Sequence, residues 1–137
     1  MGVRMFKTLM LAACCLGILG ANAALSQGFP RGPIRIIVPF PAGGATDVQM
    51  RALGQKLAES WGHASIIDNR PGGNMVIAAE AAAKSPADGQ TLVFTTDSMI
   101  SINPFLYSKL AYAPERDFAP VTLIGFTNTS LMISADL

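Results

Sequence analysis

Cysteine is almost missing from this chain. Two are present, Cys14 and Cys15, and both lie in the first apolar stretch. If that stretch is cleaved, no disulfide framework is possible in the remainder, and no thiol is left for nucleophilic or metal chemistry. Histidine occurs once, at His63, so a His-based catalytic constellation has little to draw on. Charged residues make up only 14% of the chain and form no basic run, which leaves nucleic-acid binding without an electrostatic footprint. Half the residues are hydrophobic, which excludes a disordered or polyelectrolyte chain. Long apolar runs are also absent: Thr8 to Gly20 is too short to cross a bilayer as a helix.

That short run instead has the form of a targeting segment. Arg4 and Lys7 make a basic start, the apolar stretch follows, and Ala21-Asn22-Ala23 supplies the small residues that a signal peptidase reads. Residues 1–23 are therefore expected to be a signal peptide, with a leader over 24–32 and a domain over 33–137. Cleavage removes two of the ten basic residues and none of the nine acidic ones, so the mature segment carries −1. A competing reading is lipid attachment at Cys14, because Leu11-Ala12-Ala13-Cys14 has the form of a lipoprotein signal.

From Pro33 the hydrophobic pattern is that of a folded α/β unit. "PIRIIVPF" is rich in Ile and Val and reads as a strand buried on both faces. From Thr46 the period changes, with Met50, Leu53, Leu57 and Trp61 recurring at three- and four-residue steps, the stripe of an amphipathic helix. Thr46 to Gln49 has capping-box spacing, and Gly62 follows the last stripe residue as a terminator. A second strand is expected over Ala64–Asp68, a helix over Val76–Lys84 and a third strand over Thr91–Thr96. Short strand–helix units in this order predict a mainly parallel sheet. Beyond Thr96 the chain reads as loop with short turns, one starting at Asn103-Pro104. "TLIGF" and "SLMISA" then read as further strands.

Ligands of open parallel sheets bind beyond the carboxyl ends of the strands. Three loops lie there: Pro41 to Thr46, Arg70 to Asn74, and Thr96 to Ser98. Gly43 and Gly44 allow close approach of backbone, and the amides of Ala45 to Val48 bring the positive end of a helix dipole, so the first loop suits an anion. No Lys-Ser/Thr follows the glycines and Gly-x-Gly-x-x-Gly is absent, which excludes a P-loop and a dinucleotide fingerprint. A purely structural turn stays open as an alternative. Metal-ligand spacing and a Gly-x-Ser-x-Gly elbow are missing too, so no cofactor and no catalytic residue is expected. Asp47 and Asp97 could form a carboxylate pair, yet each also fits a structural place, the first turn of a helix and a turn after a strand. Arg70 is the cation nearest a strand end, and as a loop residue it is equally at home in solvent.

The segments "PIRIIVPFPAGGATD", "DNRPGGN", "ADGQTLVF", "NPFLY" and "ERDFAPVTLIG", in this order, resemble the periplasmic substrate-binding receptors of tripartite tricarboxylate transporters, the Bug (Bordetella uptake gene) family. The resemblance runs from about Pro33 to Leu137. It implies a type II periplasmic-binding-protein lobe, with a second lobe largely missing from this sequence. It also implies a small carboxylate ligand held by backbone amides and ordered water. Carried over, the binding positions are Phe40, Ala42, Gly43, Gly44, Ala45, Thr46 and Asp47 in the first loop, and Thr96, Asp97 and Ser98 after the third strand. Gln90, where the family usually has Tyr, and Met50, where it often has Ala, depart from the pattern as packing variation. The implied partners are a di- or tricarboxylate or related organic acid and the membrane subunits of the transporter. A secreted α/β enzyme with catalytic residues further along, or a receptor serving a signalling protein, are the other function classes.

Overall fold

The computed structural model describes residues 28–126 and 132–134. The expected signal segment 1–23, with Cys14, and residues 24–27 of the leader lie outside the described residues. Strand β1 (Ile34–Val38) leads to helix α1 (Ala45–Trp61) and then to β2 (Ser65–Asn69). A 3-10 turn (Gly73–Met75) opens α2 (Val76–Ala83), and β3 (Thr91–Val93) follows. A π-helical turn (Ser98–Ile102) runs into α3 (Asn103–Leu106), and α4 (Pro114–Asp117) is a single turn.

The sheet has the order β2-β1-β3 and both pairings are parallel, with Ile36 opposite Ile67 on one side and Leu92 on the other. The central strand explains the unbroken Ile/Val run. Ile34, Ile36, Ile37 and Val38 are at most 3% exposed, because β1 is covered on both faces. Its residues alternate between those faces. Ile34, Ile36 and Val38 meet Met50, with Leu53, Leu57 and Trp61 of α1 packed around them. On the other face Ala79 of α2, Met99 and Tyr112 form a second cluster, joined by Val93. The crossover from β1 to β2 and the return from β2 past β1 to β3 run in opposite directions, and with one hand they put their helices on opposite faces, which produces the two-sided core.

Local sequence accounts for most element ends. Gly62 stops α1 in the left-handed conformation, at φ 72°, and donates its N–H to the Ala58 carbonyl at 2.9 Å. Pro104 sits in the first turn of α3, where its missing N–H costs nothing. The α1 stripe also needs a small residue facing β2. Gly54 is buried, and a Cβ there would lie 3.1 Å from the Ser65 Cβ and 3.3 Å from the Ile67 Cδ1.

Three expectations change. Helix α1 starts at Ala45 behind an N-cap at Gly44 that makes no side-chain bond, so Thr46 lies inside the helix and cannot be the cap of a box with Gln49. The third strand ends at Val93, although the Phe94 N–H still donates to the Ile37 carbonyl at 2.9 Å. "TLIGF" takes no regular structure, and residues 122–126 are exposed. The described part of "SLMISA", residues 132–134, is likewise irregular. Apolar β-branched sequence becomes a strand only where a neighbouring strand offers a ladder and a covered face, and, among the described residues, 122–126 have neither.

Candidate functional site

All three strands are parallel, so the loops after β1, β2 and β3 open on one edge of the sheet. With the order β2-β1-β3 the chain leaves β1 in one direction and returns past it to β3. The carboxyl ends of β1 and β3 therefore flank a topological switch point, where open α/β sheets form a crevice. Phe40, just past β1, and Phe94, just past β3, pack edge to face with ring centroids 6.2 Å apart, tying the two loops together at their base.

The first loop is built around Asp47. Gly43 adopts φ +82°, which a residue with a Cβ rarely does, and this turns the chain sharply enough for its N–H to reach the Asp47 Oδ2 at 2.8 Å. Arg51, one helical turn on, donates its Nε to the same oxygen at 2.9 Å. The Asn69 Nδ2, from the end of β2, donates to the Asp47 Oδ1 at 2.9 Å and to the Phe40 carbonyl at 3.1 Å. The Arg51 guanidinium in turn donates to the Asn69 Oδ1 at 3.3 Å. Asp47 is only 2% exposed, so its carboxylate is a buried hub of the loop with both oxygens engaged. The Arg51 guanidinium foremost, then the Gly43 N–H and the Asn69 amide, hold its carboxyl at about 2, below the ordinary 3.8, against burial that acts the other way.

This hub decides which amides remain for a ligand. The Gly43 N–H is committed to Asp47, the Gly44 N–H donates to the Pro41 carbonyl at 3.3 Å, and the Val48 N–H closes the first helical bond to the Gly44 carbonyl at 3.0 Å. Ala45, Thr46 and Asp47 hold the first helical positions, whose N–H groups have no acceptor within a helix. Among the described residues none of these three amides has an acceptor. They lie at the positive end of a 17-residue helix.

The third loop carries Thr96, Asp97 and Ser98. Asp97 accepts the Ser98 N–H at 3.0 Å and caps the π-helical turn, while the Thr96 Oγ1 donates to the Met75 Sδ at 3.4 Å. Asp97 thus serves its own loop, as Asp47 serves the first. Arg70 is drawn into a different cluster: its Nε donates to the Asp68 Oδ2 at 3.0 Å, and Arg35 also pairs with that oxygen. Burial pushes the Asp68 carboxyl up, but the two guanidiniums outweigh it and the net shift is downward. His63 follows Gly62 at the far end of α1 from the first loop.

Two participants escaped the sequence reading. Arg51 had a signal, since an acid and a base four residues apart on a helix face one another. Asn69 had none, because its reach to Phe40 and Asp47 depends on the pairing of β1 with β2. Among the described residues no three His, Cys, Asp or Glu side chains gather as metal ligands, and no helix is long and apolar enough to cross a membrane.

Residues 49–137 match the family described as tripartite tricarboxylate transporter family receptor. The chain belongs to this family. Among its curated relatives, protein BugT of Bordetella pertussis is 35% identical over 125 residues, which is 90% of this chain and 38% of that protein. A UPF0065 protein from the tcbD–tcbE intergenic region of a Pseudomonas species is 37% identical over 110 residues, 80% of this chain and 32% of that protein. The chain thus spans between about a third and two fifths of the length of these relatives. Among solved structures, an R. palustris protein with adipate is similar at TM-score 0.64 and 38% identity, over 69% of this chain and 31% of that one. MatC of Rhodopseudomonas palustris, with bound malate, is similar at TM-score 0.62 and 34% identity, over 68% of this chain and 32% of that one. The fold is accordingly α/β with a parallel sheet, as the pattern of strands and helices implied, and that of periplasmic binding proteins, as the resemblance implied.

Proposed function

We propose that this family member captures a small carboxylate, a di- or tricarboxylate or related organic acid, in the periplasm and delivers it to the membrane subunits of a tripartite tricarboxylate transporter. The observation that carries this reading is the row of amides at Ala45, Thr46 and Asp47 at the start of α1, which have no acceptor among the described residues. Backbone amides at a helix start suit the spread charge of a carboxylate, and they leave the choice of acid to the surrounding side chains. Support comes from two similar proteins, one solved with adipate and one with malate.

Phe40, Ala42, Gly43 and Gly44 shape the first loop in this reading, and Ala45, Thr46 and Asp47 present its amides. Thr96, Asp97 and Ser98 follow β3 and complete the same side of the crevice. Asp47 acts through its backbone N–H toward the ligand and through its side chain toward the loop. Residues 33–137 are the N-terminal part of a two-lobe receptor, preceded by a signal peptide over 1–23 and a leader over 24–32. The exposed apolar side chains of Phe105, Val121, Leu123 and Phe126 are in keeping with further chain packing there. Closure of a second lobe over the first loop would complete the site.

The test is calorimetry on the receptor at its full natural length, with malate, adipate and their dimethyl esters. Binding of at least one acid in the micromolar range, with loss of binding for its ester, is the expected result. If no small carboxylate binds, the reading fails.

A further inference from the structure

The second strand-to-helix loop is held in a conformation that its own residues disfavour. Gly72 and Gly73 have φ of 119° and 57°, and the two residues after them, Asn74 and Met75, also have positive φ, at 49° and 71°. Asparagine tolerates the left-handed region, but methionine is seldom found there. Something outside the loop must keep it so.

Asn103 is the residue in contact. It is wholly buried at the start of α3, and its amide is fully used. The Oδ1 accepts from the Asn74 Nδ2 at 2.6 Å, and the Nδ2 donates to the Asn74 carbonyl at 2.8 Å and to the Tyr112 hydroxyl at 3.3 Å. The Tyr112 hydroxyl in turn donates to the Met99 carbonyl at 2.7 Å. One side chain thus grips both the backbone and the side chain of Asn74. Through Tyr112 it also holds the turn that follows Thr96, Asp97 and Ser98. Between these two anchors, Met75 is set with its sulfur against the Thr96 hydroxyl.

We propose that Asn103 is a positioning residue for the binding crevice. It locks the second loop in its left-handed course and joins it to the third, so that Met75 and Thr96 form one preformed bank of the crevice. The inference rests on the carboxylate-binding role proposed above, which supplies the ligand that this bank faces. Asn103 itself is buried beneath the bank, and its effect on the ligand passes entirely through Asn74, Met75 and Thr96.

The experiment combines calorimetry with residue-resolved amide exchange on the full-length receptor, using malate and adipate as probes. In Asn103→Asp the oxygen that Asn74 needs is kept and the two donated bonds are lost. The Met75 and Met99 amides, which donate to the Gly72 and Thr96 carbonyls, are then expected to exchange about tenfold faster, while the Arg35 amide in the sheet keeps its rate. The dissociation constant rises about tenfold at a temperature where circular dichroism shows a folded protein. Asn74→Ala and Asn74→Gly separate positioning from bulk packing and serve in place of Asn103→Asp if that variant fails to fold. Alanine at φ 49° is strained and loses about tenfold in affinity, whereas glycine takes that φ freely and stays within about threefold of the parent. The proposal is overturned if exchange at Met75 and Met99 is unchanged, if it rises with affinity intact, or if glycine is as damaging as alanine. Should the parent bind neither acid, the carboxylate reading is what has failed, and positioning of the two loops is then decided by the exchange rates alone.

Discussion

Asp47 shows how a residue can belong to a candidate binding loop with its charge spent inside the fold. Its carboxylate answers the Gly43 N–H, Arg51 and Asn69, and those bonds keep it ionised down to about pH 2. Its pKa is lower in the folded protein than the 3.8 of the free side chain, so the folded state releases this proton more readily than the unfolded one. The stabilisation is therefore fully present above about pH 4 and is lost as the pH falls toward 2. Acid-unfolding curves of the parent and Asp47→Asn are expected to diverge above pH 4 and to converge near pH 2, and curves that stay parallel throughout would contradict the hub. Asn69 gives a second prediction at this scale. Asn69→Ala removes the donor shared by the Phe40 carbonyl and Asp47, and should cost about 1–2 kcal/mol in urea unfolding. It should also weaken carboxylate binding, because the turn before the α1 amides is no longer tied to β2.

Helix α1 is where packing and site meet. Its apolar stripe presses on β1 while its N-terminus supplies the candidate amides, so a shift of the helix moves the site. Gly54 sets how near the helix can come to β2: a Cβ would meet the Ser65 Cβ at 3.1 Å and the Ile67 Cδ1 at 3.3 Å. Alanine favours a helix over glycine by about 1 kcal/mol, yet overpacking a tight contact costs about 1–3 kcal/mol. The Ile67 Cδ1 can swing aside, but the Ser65 Cβ is fixed to a paired strand and cannot, so the steric cost wins. Gly54→Ala should lower thermal stability despite its better helix propensity, and an unchanged or raised Tm would show that the helix moves outward freely.

At the scale of the whole molecule, the proposed two-lobe reading assigns affinity to more than this lobe. The candidate amides and the Thr96–Ser98 bank line one side of a crevice, and a receptor that closes on its ligand gains most of its contacts on closure. A polypeptide of residues 24–137 is expected to bind malate or adipate at least about tenfold more weakly than the receptor at the length of its relatives. Equal affinity from the two would mean that the single lobe suffices. The exposed apolar residues from Phe105 to Phe126 also predict that this shorter polypeptide self-associates in sedimentation experiments.

Much of this protein could be read from local pattern. The Ile/Val run specified a strand covered on both sides, the stripe from Met50 to Trp61 specified the face of α1, and Gly62 specified its end, because burial and chain reversal leave periodic and single-residue marks. Alternation of strands and helices pointed to the parallel sheet and to its carboxyl edge as the place for a ligand. What only tertiary structure decided was which polar groups are spent and which are left over. Gly43 looked free and is bonded to Asp47, Val48 closes the first helical turn, and Arg70 turns to Asp68. Asn69 and Asn103 carry no local mark of these roles, since each acts on residues 22 to 29 positions away. The same holds for "TLIGF", strand-like in composition but irregular where no strand among the described residues lies beside it. Hydrophobic periodicity is a property of a segment, whereas hydrogen-bond satisfaction is a property of neighbours, and neighbours are chosen by the fold.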